Sequence, residues 1–288
     1  MSLIGGYFCR SGAWPDDSVR RKLQSFAILD GDSPDSYEYI VRPFQFGHII
    51  AKYKGAGPVQ VRAAETDARS LVTLGYHDLG YEIVAPDIVS RLVKSDGEFV
   101  SLVADRTGPA VHVVNDRFSA RPFYWCCEGD VTAFSSNVFF LVHLLGLRPR
   151  PDVLGWLEIF SYSHTLGERT NIEGIRRLPP ASHLTITQAG VDCQRYWRLK
   201  HETRHDLDPV EHAERTFDAM RRSTAARARL SDAGFVSLSG GLDSRLVAGA
   251  LPAKADFYLY TFNGSDGDSA DVSVARQIAQ ILGRRHRV

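Results

Sequence analysis

A six-residue segment, Ser239-Gly240-Gly241-Leu242-Asp243-Ser244, constrains the fold of this chain more than any other feature of its sequence. It follows a β-branched and aromatic run at 234–238 and precedes an apolar-patterned stretch that stops before Pro252. Paired glycines allow a tight backbone turn, and a helix that starts directly behind them presents unsatisfied N–H groups in its first turn. The segment therefore predicts a strand, a glycine-rich turn and a helix, which is the start of a parallel α/β unit.

The residues on either side of this segment continue the α/β pattern. Helices are predicted at 208–228 and 269–282, a second strand at 257–262, and the approach to a third strand at 284–288. The apolar faces of the two helices are predicted to comprise Val210, Ala213, Phe217, Met220, Thr224 and Ala228 in the first, and Val274, Ala275, Ile278, Ala279 and Leu282 in the second. A parallel sheet needs both of its faces covered, and the predicted strands are too few for a finished domain. We therefore expect a truncated chain or a short form completed by a partner.

Short β-like runs dominate the first two hundred residues. They predict three hairpins and two helices, with the hairpins at 99–104 with 110–114, 123–127 with 131–134, and 183–187 with 191–196, and the helices at 87–93 and 138–147. Residues 200–207 are charged and polar, show no apolar period, and are typical of a linker. The sequence therefore predicts an antiparallel, sheet-rich α+β domain followed by an α/β domain.

Composition narrows the classes of protein that this chain can be. Of its 288 residues, 44% are apolar and 24% charged, and the formal net charge of zero gives no support for nucleic-acid or membrane binding. There is neither an apolar run long enough for a transmembrane helix nor a signal peptide, so we expect a cytoplasmic protein. His201 and His205 lack a third ligand for zinc. The four cysteines follow neither a metal-site nor a disulfide spacing and are expected to be free thiols: Cys9, Cys126, Cys127 and Cys193.

The glycine-rich segment has the chemistry of an anion cradle. Its glycines bring successive N–H groups close to a ligand, and the helix behind them adds a positive dipole end. Ser239 and Ser244 add hydroxyl donors, so a pyrophosphate or triphosphate is a natural occupant. The segment lacks the Gly-Lys-Ser/Thr ending of a Walker A loop and the dinucleotide Gly-x-Gly-x-x-Gly pattern. The alternative is a plain tight turn with serine caps.

The segment resembles the PP-loop, Ser-Gly-Gly-x-Asp-Ser, of the ATP pyrophosphatases. Three further stretches resemble the asparagine synthetase family in order and spacing. Asn115–Tyr124 is similar to the family's "Arg-Asp-Arg-Phe-Gly-x-Lys-Pro-Leu-Tyr", and Phe134–Asn137 is similar to "Phe-Ala-Ser-Glu". Arg169-Thr170 and Gly174–Pro180 resemble the segment before the family's interdomain linker. β-Lactam synthetases and lasso-peptide cyclases are among the similar relatives.

The resemblance implies an α+β N-terminal nucleophile-type sandwich followed by the start of a parallel doubly wound, PP-loop ATP-binding domain. It places a glutamine amidotransferase-like domain at 1–197, a linker at 198–207 and the truncated ATP-binding domain at 208–288. It implies ATP and Mg²⁺ as cofactors, a small-molecule or peptide carboxylate as substrate, and a homodimer, with no nucleic-acid or membrane partner and no protein metal site. The ATP-contacting residues would be Leu238, Ser239, Gly240, Gly241, Leu242, Asp243, Ser244 and Phe262. For Asp243 the alternative role is a favourable interaction with the helix dipole.

Two departures from the family lie in the N-terminal domain. The family starts "Met-Cys-Gly-Ile-x-Gly-Tyr", with the cysteine as the nucleophile of glutamine hydrolysis, whereas this chain carries Ser2 at that position. A serine hydroxyl is a poorer nucleophile than a thiol at neutral pH. The family's glutamine-binding Asn-Gly-Glu is matched only by Leu74-Gly75-Tyr76, which lacks both polar side chains. We therefore predict that this domain does not hydrolyse glutamine, and Cys9 is interpreted as structural.

A third departure is Arg245, where asparagine synthetases usually carry a small residue. It weakens the case for asparagine as the product, and the alternative is a solvent-exposed helix arginine. The leading hypothesis is an ATP-dependent amide ligase that forms an acyl-adenylate from a carboxylate and transfers it to an amine or ammonia. One alternative is a glutamine-hydrolysing asparagine synthetase that uses Ser2 in place of cysteine. Another is a non-catalytic nucleotide-binding or scaffold subunit.

Overall fold

The computed structural model describes residues 2–14, 16–29, 38–53, 61–79, 85–106, 110–203, 208–264 and 269–288. The chain divides into two compact units, residues 1–200 and residues 201–288. The last part of the predicted linker, 204–207, lies outside the described residues, and so does His205. No helix of the described residues is both long and apolar enough to cross a membrane.

The first unit is built from two antiparallel sheets and four helices in its described part. Its strands are β1 (Leu3–Cys9), β2 (Glu38–Phe44), β3 (Gly47–Tyr53), β4 (Val61–Glu65), β5 (Arg69–His77), β6 (Gly97–Asp105), β7 (Ala110–Asn115), β8 (Tyr124–Glu128), β9 (Val131–Ser135), β10 (Arg176–Arg177), β11 (Ser182–Thr187) and β12 (Gly190–Arg195). Its helices are α1 (Asp16–Leu29), α2 (Ile88–Lys94), α3 (Val138–Leu145) and α4 (Val153–Tyr162).

The strand order is β10-β8-β9-β1-β3-β2 in one sheet and β12-β11-β7-β6-β5-β4 in the other. The three predicted hairpins are confirmed, because β6 pairs with β7, β8 with β9 and β11 with β12. Gly129, with φ of 58°, and Gly190, with φ of 140°, occupy the turns of the last two hairpins in backbone conformations that favour glycine. Helices α1 and α4 were not predicted from the sequence.

The core of the first unit lies between the sheets. Alternate residues of β1 serve two faces: Ile4 and Phe8 pack into the cluster shared by both sheets, whereas Leu3 and Tyr7 pack with residues of α1 and α3. All seven residues of β1 are buried, because the strand is central in its sheet and covered on both faces.

The second unit holds a parallel three-stranded sheet in the order β13-β14-β15. Its elements are α5 (Pro209–Ala228), β13 (Ala233–Ser237), α6 (Leu242–Ala250), β14 (Asp256–Tyr260), α7 (Ala270–Ile281) and β15 (His286–Arg287). Leu238, Leu259, Ala275 and Ala279 form the centre of its core. The third predicted strand is therefore present as β15, which pairs with β14 at Leu259 and Tyr260.

The predicted helix faces of this unit are only partly correct. The inward face of α7 is centred on Val272, Ala275 and Ala279, and Val274 is not among its buried residues. Helix α5 forms as predicted, but none of its residues is buried, and Phe217 stays 38% exposed. Helix α5 therefore has the predicted apolar face, but the described residues do not bury it.

Candidate functional site

The glycine-rich loop lies where β13 ends and α6 begins. Ser239, Gly240 and Gly241 connect the two elements, and the N–H of Leu238 just before them donates to the carbonyl of Tyr260 at 2.7 Å. Because β13 and β14 are parallel, their carboxyl ends share one edge of the sheet. That edge is where ligands bind in open α/β sheets.

Within the loop, three backbone N–H groups already have acceptors. The N–H of Ser239 donates to Oγ of Ser244 at 3.0 Å, and the N–H of Gly241 donates to Oγ of Ser239 at 3.2 Å. The N–H of Gly240 donates to Oδ1 of Asp271, in the first turn of α7, at 3.1 Å. A Cβ on residue 240 would stand 2.4 Å from that same oxygen, so alanine there would displace the Asp271 carboxylate. An anion bound in this loop would therefore replace these side-chain oxygens as the acceptor of the N–H bonds.

Helix α6 begins without a capping side chain, at Gly241. Four other helices begin with a side chain that accepts a first-turn N–H bond, from Asn137 in α3, Asp152 in α4, Asp208 in α5 and Ser269 in α7. Leu242 and Asp243, in the first turn of α6, are exposed. Uncapped first-turn N–H groups and the helix dipole favour an anion, so the geometry fits a phosphate group here.

Arg245, the fourth residue of α6, turns its side chain back to the loop. Its guanidinium donates to the carbonyl of Gly240, and the residue is half-buried. Its buried Nε makes no hydrogen bond within the described residues. The interpretation of Arg245 as a solvent-exposed helix arginine is therefore wrong, because the chain turns back over it at Gly240.

The two residues predicted to contact a nucleotide base differ in accessibility. Leu238 is fully buried in the core of its unit, whereas Phe262 is 77% exposed. Sequence reasoning missed a polar link beside them: Oγ1 of the buried Thr261 donates to the carbonyl of Leu238 at 2.7 Å and lies 2.8 Å from Nε2 of His286. Burial, and secondarily the charge of Arg276, lowers the pKa of His286. Base contact by Leu238 and Phe262 stays a prediction.

Asp271 and Thr261 escaped the sequence analysis for a common reason. Each acts on the loop from an element that follows it by more than twenty residues, and only the fold brings them there. The sequence did contain one signal for Asp271, because it is an acidic residue in the first turn of a helix that Ser269 caps.

In the first unit, Ser2 is half-buried directly before β1. The strand start beside it is held by the stretch that resembles "Phe-Ala-Ser-Glu". The N–H of Ile4 donates to Oγ of Ser136 at 3.1 Å, and Oγ of Ser135 donates to the carbonyl of Ile4 at 3.2 Å. Two stretches picked out by resemblance, 132 and 131 residues apart at these two bonds, therefore meet beside the predicted nucleophile position.

The segment matched to the family's Asn-Gly-Glu lies at the end of β5. Gly75 has φ of 101°, and a Cβ there would stand 2.0 Å from the carbonyl oxygen of Glu98. Only glycine fits, so this part of the resemblance has a physical basis. Leu74 packs into the core between the sheets, with Ile4 in the same cluster. An apolar side chain therefore occupies the position at which the family carries asparagine.

Asn115 and Asp116 form a buried polar corner that joins the other family-like stretches. Nδ2 of Asn115 donates to the carbonyl of Pro179 at 2.8 Å, and its Oδ1 accepts from the N–H of Ser182 at 2.7 Å. The carboxylate of Asp116 accepts N–H bonds from three residues: Phe99, Phe118 and Ala120. These contacts give the corner a structural role, and we assign it no catalytic role.

The four cysteines lie in the described part of the chain, all as free thiols. Cys9 and Cys126 are buried and Cys127 and Cys193 exposed, and burial raises the pKa of Cys126 to about 12. Such a thiol is not a nucleophile at neutral pH. Among the residues that the structure describes, no three of His, Cys, Asp and Glu group as metal ligands.

Comparison with known proteins identifies relatives of this chain. Residues 62–197 match the family described as "Glutamine amidotransferase domain". The chain is 27% identical over 183 residues to "Asparagine synthetase [glutamine-hydrolyzing] 3" of Bacillus subtilis (strain 168). That match covers 60% of this chain and 29% of the relative, so the chain spans less than a third of the length of the curated relative.

Two solved structures resemble this chain weakly. One is "Glutamine phosphoribosylpyrophosphate (PRPP) amidotransferase from B. subtilis complexed with ADP and GMP", with a TM-score of 0.39 and 11% identity over 100% of this chain and 65% of that one. The other is "Structure of the allosteric regulatory enzyme of purine biosynthesis", with a TM-score of 0.40 and 12% identity over 96% and 69%. At these scores neither likeness bears on function. The amidotransferase domain match and the curated relative together show that this chain is similar to proteins of the asparagine synthetase family.

Proposed function

We propose that this chain acts in ATP-dependent amide ligation. In this reaction a carboxylate attacks the α-phosphorus of ATP, which forms an acyl-adenylate and releases pyrophosphate, and an amine or ammonia then displaces AMP. The observation that carries the proposal is the loop of Ser239–Ser244 at the carboxyl edge of a parallel sheet, in front of a helix with no capping side chain. The relationship to an asparagine synthetase supports the same reaction class.

Each part of the loop has a role in this proposal. Backbone N–H groups from Gly240 to Asp243 would hold the pyrophosphate and stabilise its charge as it departs, since fixed donors act without reorganising. Asp243 and Asp271 carry the carboxylate oxygens that Mg²⁺ prefers. Bound with ATP, Mg²⁺ would spread the charge of the phosphates further. The exposed ring of Phe262 would stack on the base or ribose, and Leu238 would contribute backbone atoms only.

Nucleotide binding tests this proposal with a matched pair of variants. Gly240→Ala places a Cβ 2.4 Å from Oδ1 of Asp271, whereas Gly249→Ala, in α6, meets no atom within 4 Å. We expect Mg-ATP to bind the wild type and Gly249→Ala alike in calorimetry, and Gly240→Ala to bind at least about tenfold more weakly, or about 1.4 kcal/mol. A folded wild type that binds no Mg-ATP would refute the ligase and favour the scaffold alternative.

For the first unit, we propose that glutamine hydrolysis is absent. Ser2 replaces the family's thiol, and Leu74 supplies no polar group for a glutamine ligand. The measurement is ammonia release from glutamine by wild type, Ser2→Ala and Ser2→Cys. Release by the wild type that Ser2→Ala abolishes would overturn this view and favour the alternative in which Ser2 is the nucleophile.

A further inference from the structure

The carboxylate of Asp271 reaches the glycine-rich loop from outside it. Asp271 lies in the first turn of α7, and its Oδ1 accepts the N–H of Gly240 at 3.1 Å. The N–H groups of Ser239 and Gly241 donate instead to neutral hydroxyl oxygens, those of Ser244 and Ser239. Among these three described N–H bonds of the loop, the bond of Gly240 is therefore the one with a charged acceptor.

The loop keeps its shape through contacts that do not involve Asp271. The guanidinium of Arg245 donates to the carbonyl of Gly240, and Oγ of Ser244 accepts the N–H of Ser239 at 3.0 Å. Both bonds join the loop to α6, the helix that follows it, and neither uses α7. We therefore expect that the charge of Asp271 can be removed without a change in the shape of the loop.

The loop offers a phosphate group little positive charge of its own. Residues 239–244 include neither lysine nor arginine, and the guanidinium of Arg245 is directed at the carbonyl of Gly240. Asp243 and Asp271 lie in the first turns of the two helices that reach the loop, α6 and α7. A polyphosphate without a counter-ion would therefore meet like charge beside the N–H groups that attract it.

The Asp271 carboxylate and a phosphate oxygen compete for the same space. A Cβ on residue 240 would stand 2.4 Å from Oδ1 of Asp271, so this oxygen lies directly against the loop. A phosphate that binds the N–H of Gly240 must therefore displace the carboxylate. The displaced carboxylate stays close to the phosphate, and two like charges at short range repel each other more strongly where water is partly excluded.

We propose that Asp271 makes the loop select polyphosphates that carry a divalent cation over metal-free ones. This proposal rests on the proposed function of the loop as the pyrophosphate site. A metal-free ligand takes the N–H of Gly240 from the carboxylate and gains nothing that offsets the repulsion. With Mg-ATP the displaced carboxylate faces a cation, for which carboxylate oxygens are preferred ligands. Asp271 is thus a specificity-determining residue that acts at Gly240.

Calorimetry with ATP, once with Mg²⁺ and once with EDTA, tests the proposal. Asp271→Asn keeps an amide oxygen for the N–H of Gly240 but removes the charge. We expect this variant to bind metal-free ATP at least about tenfold more tightly than the wild type does. The control is Asp256→Asn, which removes a carboxylate at the amino end of β14, the end opposite the loop, and should bind metal-free ATP as the wild type does.

Inorganic pyrophosphate gives a second test that needs only the wild type. The wild type should bind pyrophosphate at least about tenfold more tightly with Mg²⁺ than with EDTA. This preference should shrink in Asp271→Asn, whose fold circular dichroism checks. Because the first comparison uses no variant, the proposal stays testable even if Asp271→Asn does not fold.

The outcomes separate this proposal from the proposed function of the loop. Equal binding of metal-free ATP by Asp271→Asn and the wild type, with Mg-ATP bound by both, would overturn the role of Asp271 and leave the proposed function standing. The same gain in Asp256→Asn would assign the effect to net charge and would also overturn it, as would equal affinity of the wild type for pyrophosphate with and without Mg²⁺. A folded wild type that binds no Mg-ATP would instead refute the proposed function.

Discussion

Removal of the Asp116 carboxylate should strongly destabilise the first unit. This side chain is 3% exposed and holds the chain where β7 turns towards β8. Its Oδ2 accepts the N–H of Phe99 at 3.2 Å and that of Ala120 at 3.1 Å, and its Oδ1 accepts the N–H of Phe118 at 2.9 Å. Asp116→Ala removes both acceptor oxygens, and with them all three bonds, whereas Asp116→Asn keeps one carbonyl oxygen.

The expected magnitude follows from which donors water can reach. The bond to Phe99 is buried, so its N–H would lose its partner without compensation, at about 1–3 kcal/mol. The bonds to Phe118 and Ala120 are partly accessible, and each is worth about 0.5–1.5 kcal/mol. Asp116→Ala should therefore lower the free energy of unfolding by about 2–6 kcal/mol, and Asp116→Asn by about half as much. Domain stability is only about 5–15 kcal/mol, so the larger loss would be conspicuous.

Urea unfolding followed by tryptophan fluorescence suits this test. All four tryptophans lie in the first unit, at Trp14, Trp125, Trp156 and Trp197, so the signal reports that unit alone. The control is Asp192→Ala, an exposed carboxylate on β12 that should change stability by less than about 0.5 kcal/mol. If Asp116→Ala stays within about 1 kcal/mol of the wild type, the carboxylate is not what holds this corner.

Three further outcomes are expected. Burial, and secondarily His183 3.0 Å away, lowers the pKa of His112 to about 4, so the unfolded state binds the proton more readily. The resulting contribution to the free energy of unfolding, about 1–3 kcal/mol after screening, is complete above pH 6.5 and is lost as the pH falls towards 4. The urea midpoint of His112→Gln should therefore depend less on pH than that of the wild type. Gly75→Ala should unfold at lower urea than Gly12→Ala, since both have positive φ but only Gly75 faces a carbonyl; equal midpoints would contradict this. Thr261→Val should weaken Mg-ATP binding while the far-ultraviolet circular dichroism spectrum stays unchanged. Unchanged binding would show that this hydroxyl does not contribute to the site.

Much of the architecture could be predicted from local pattern. The hairpin of β11 and β12 follows from alternating residues around a glycine turn, and the β13-loop-α6 unit follows from glycines between a strand and a helix. These elements are specified by neighbours in sequence, so a single chain suffices to locate them. Helix α4 escaped prediction because its apolar residues are not arranged on a single buried face.

The sequence by itself determined the composition of the loop, the serine at position 2 and the apolar residue at position 74. Only the tertiary structure decided what these residues touch. Asp271 reaches Gly240 across thirty-one positions of the chain, and Arg245 turns inward to the same glycine. The contact of Asp271 depends on the parallel packing of β13 and β14, which brings distant residues to one edge of the sheet. Local sequence contains the donors and acceptors, but their pairing is a property of the folded chain.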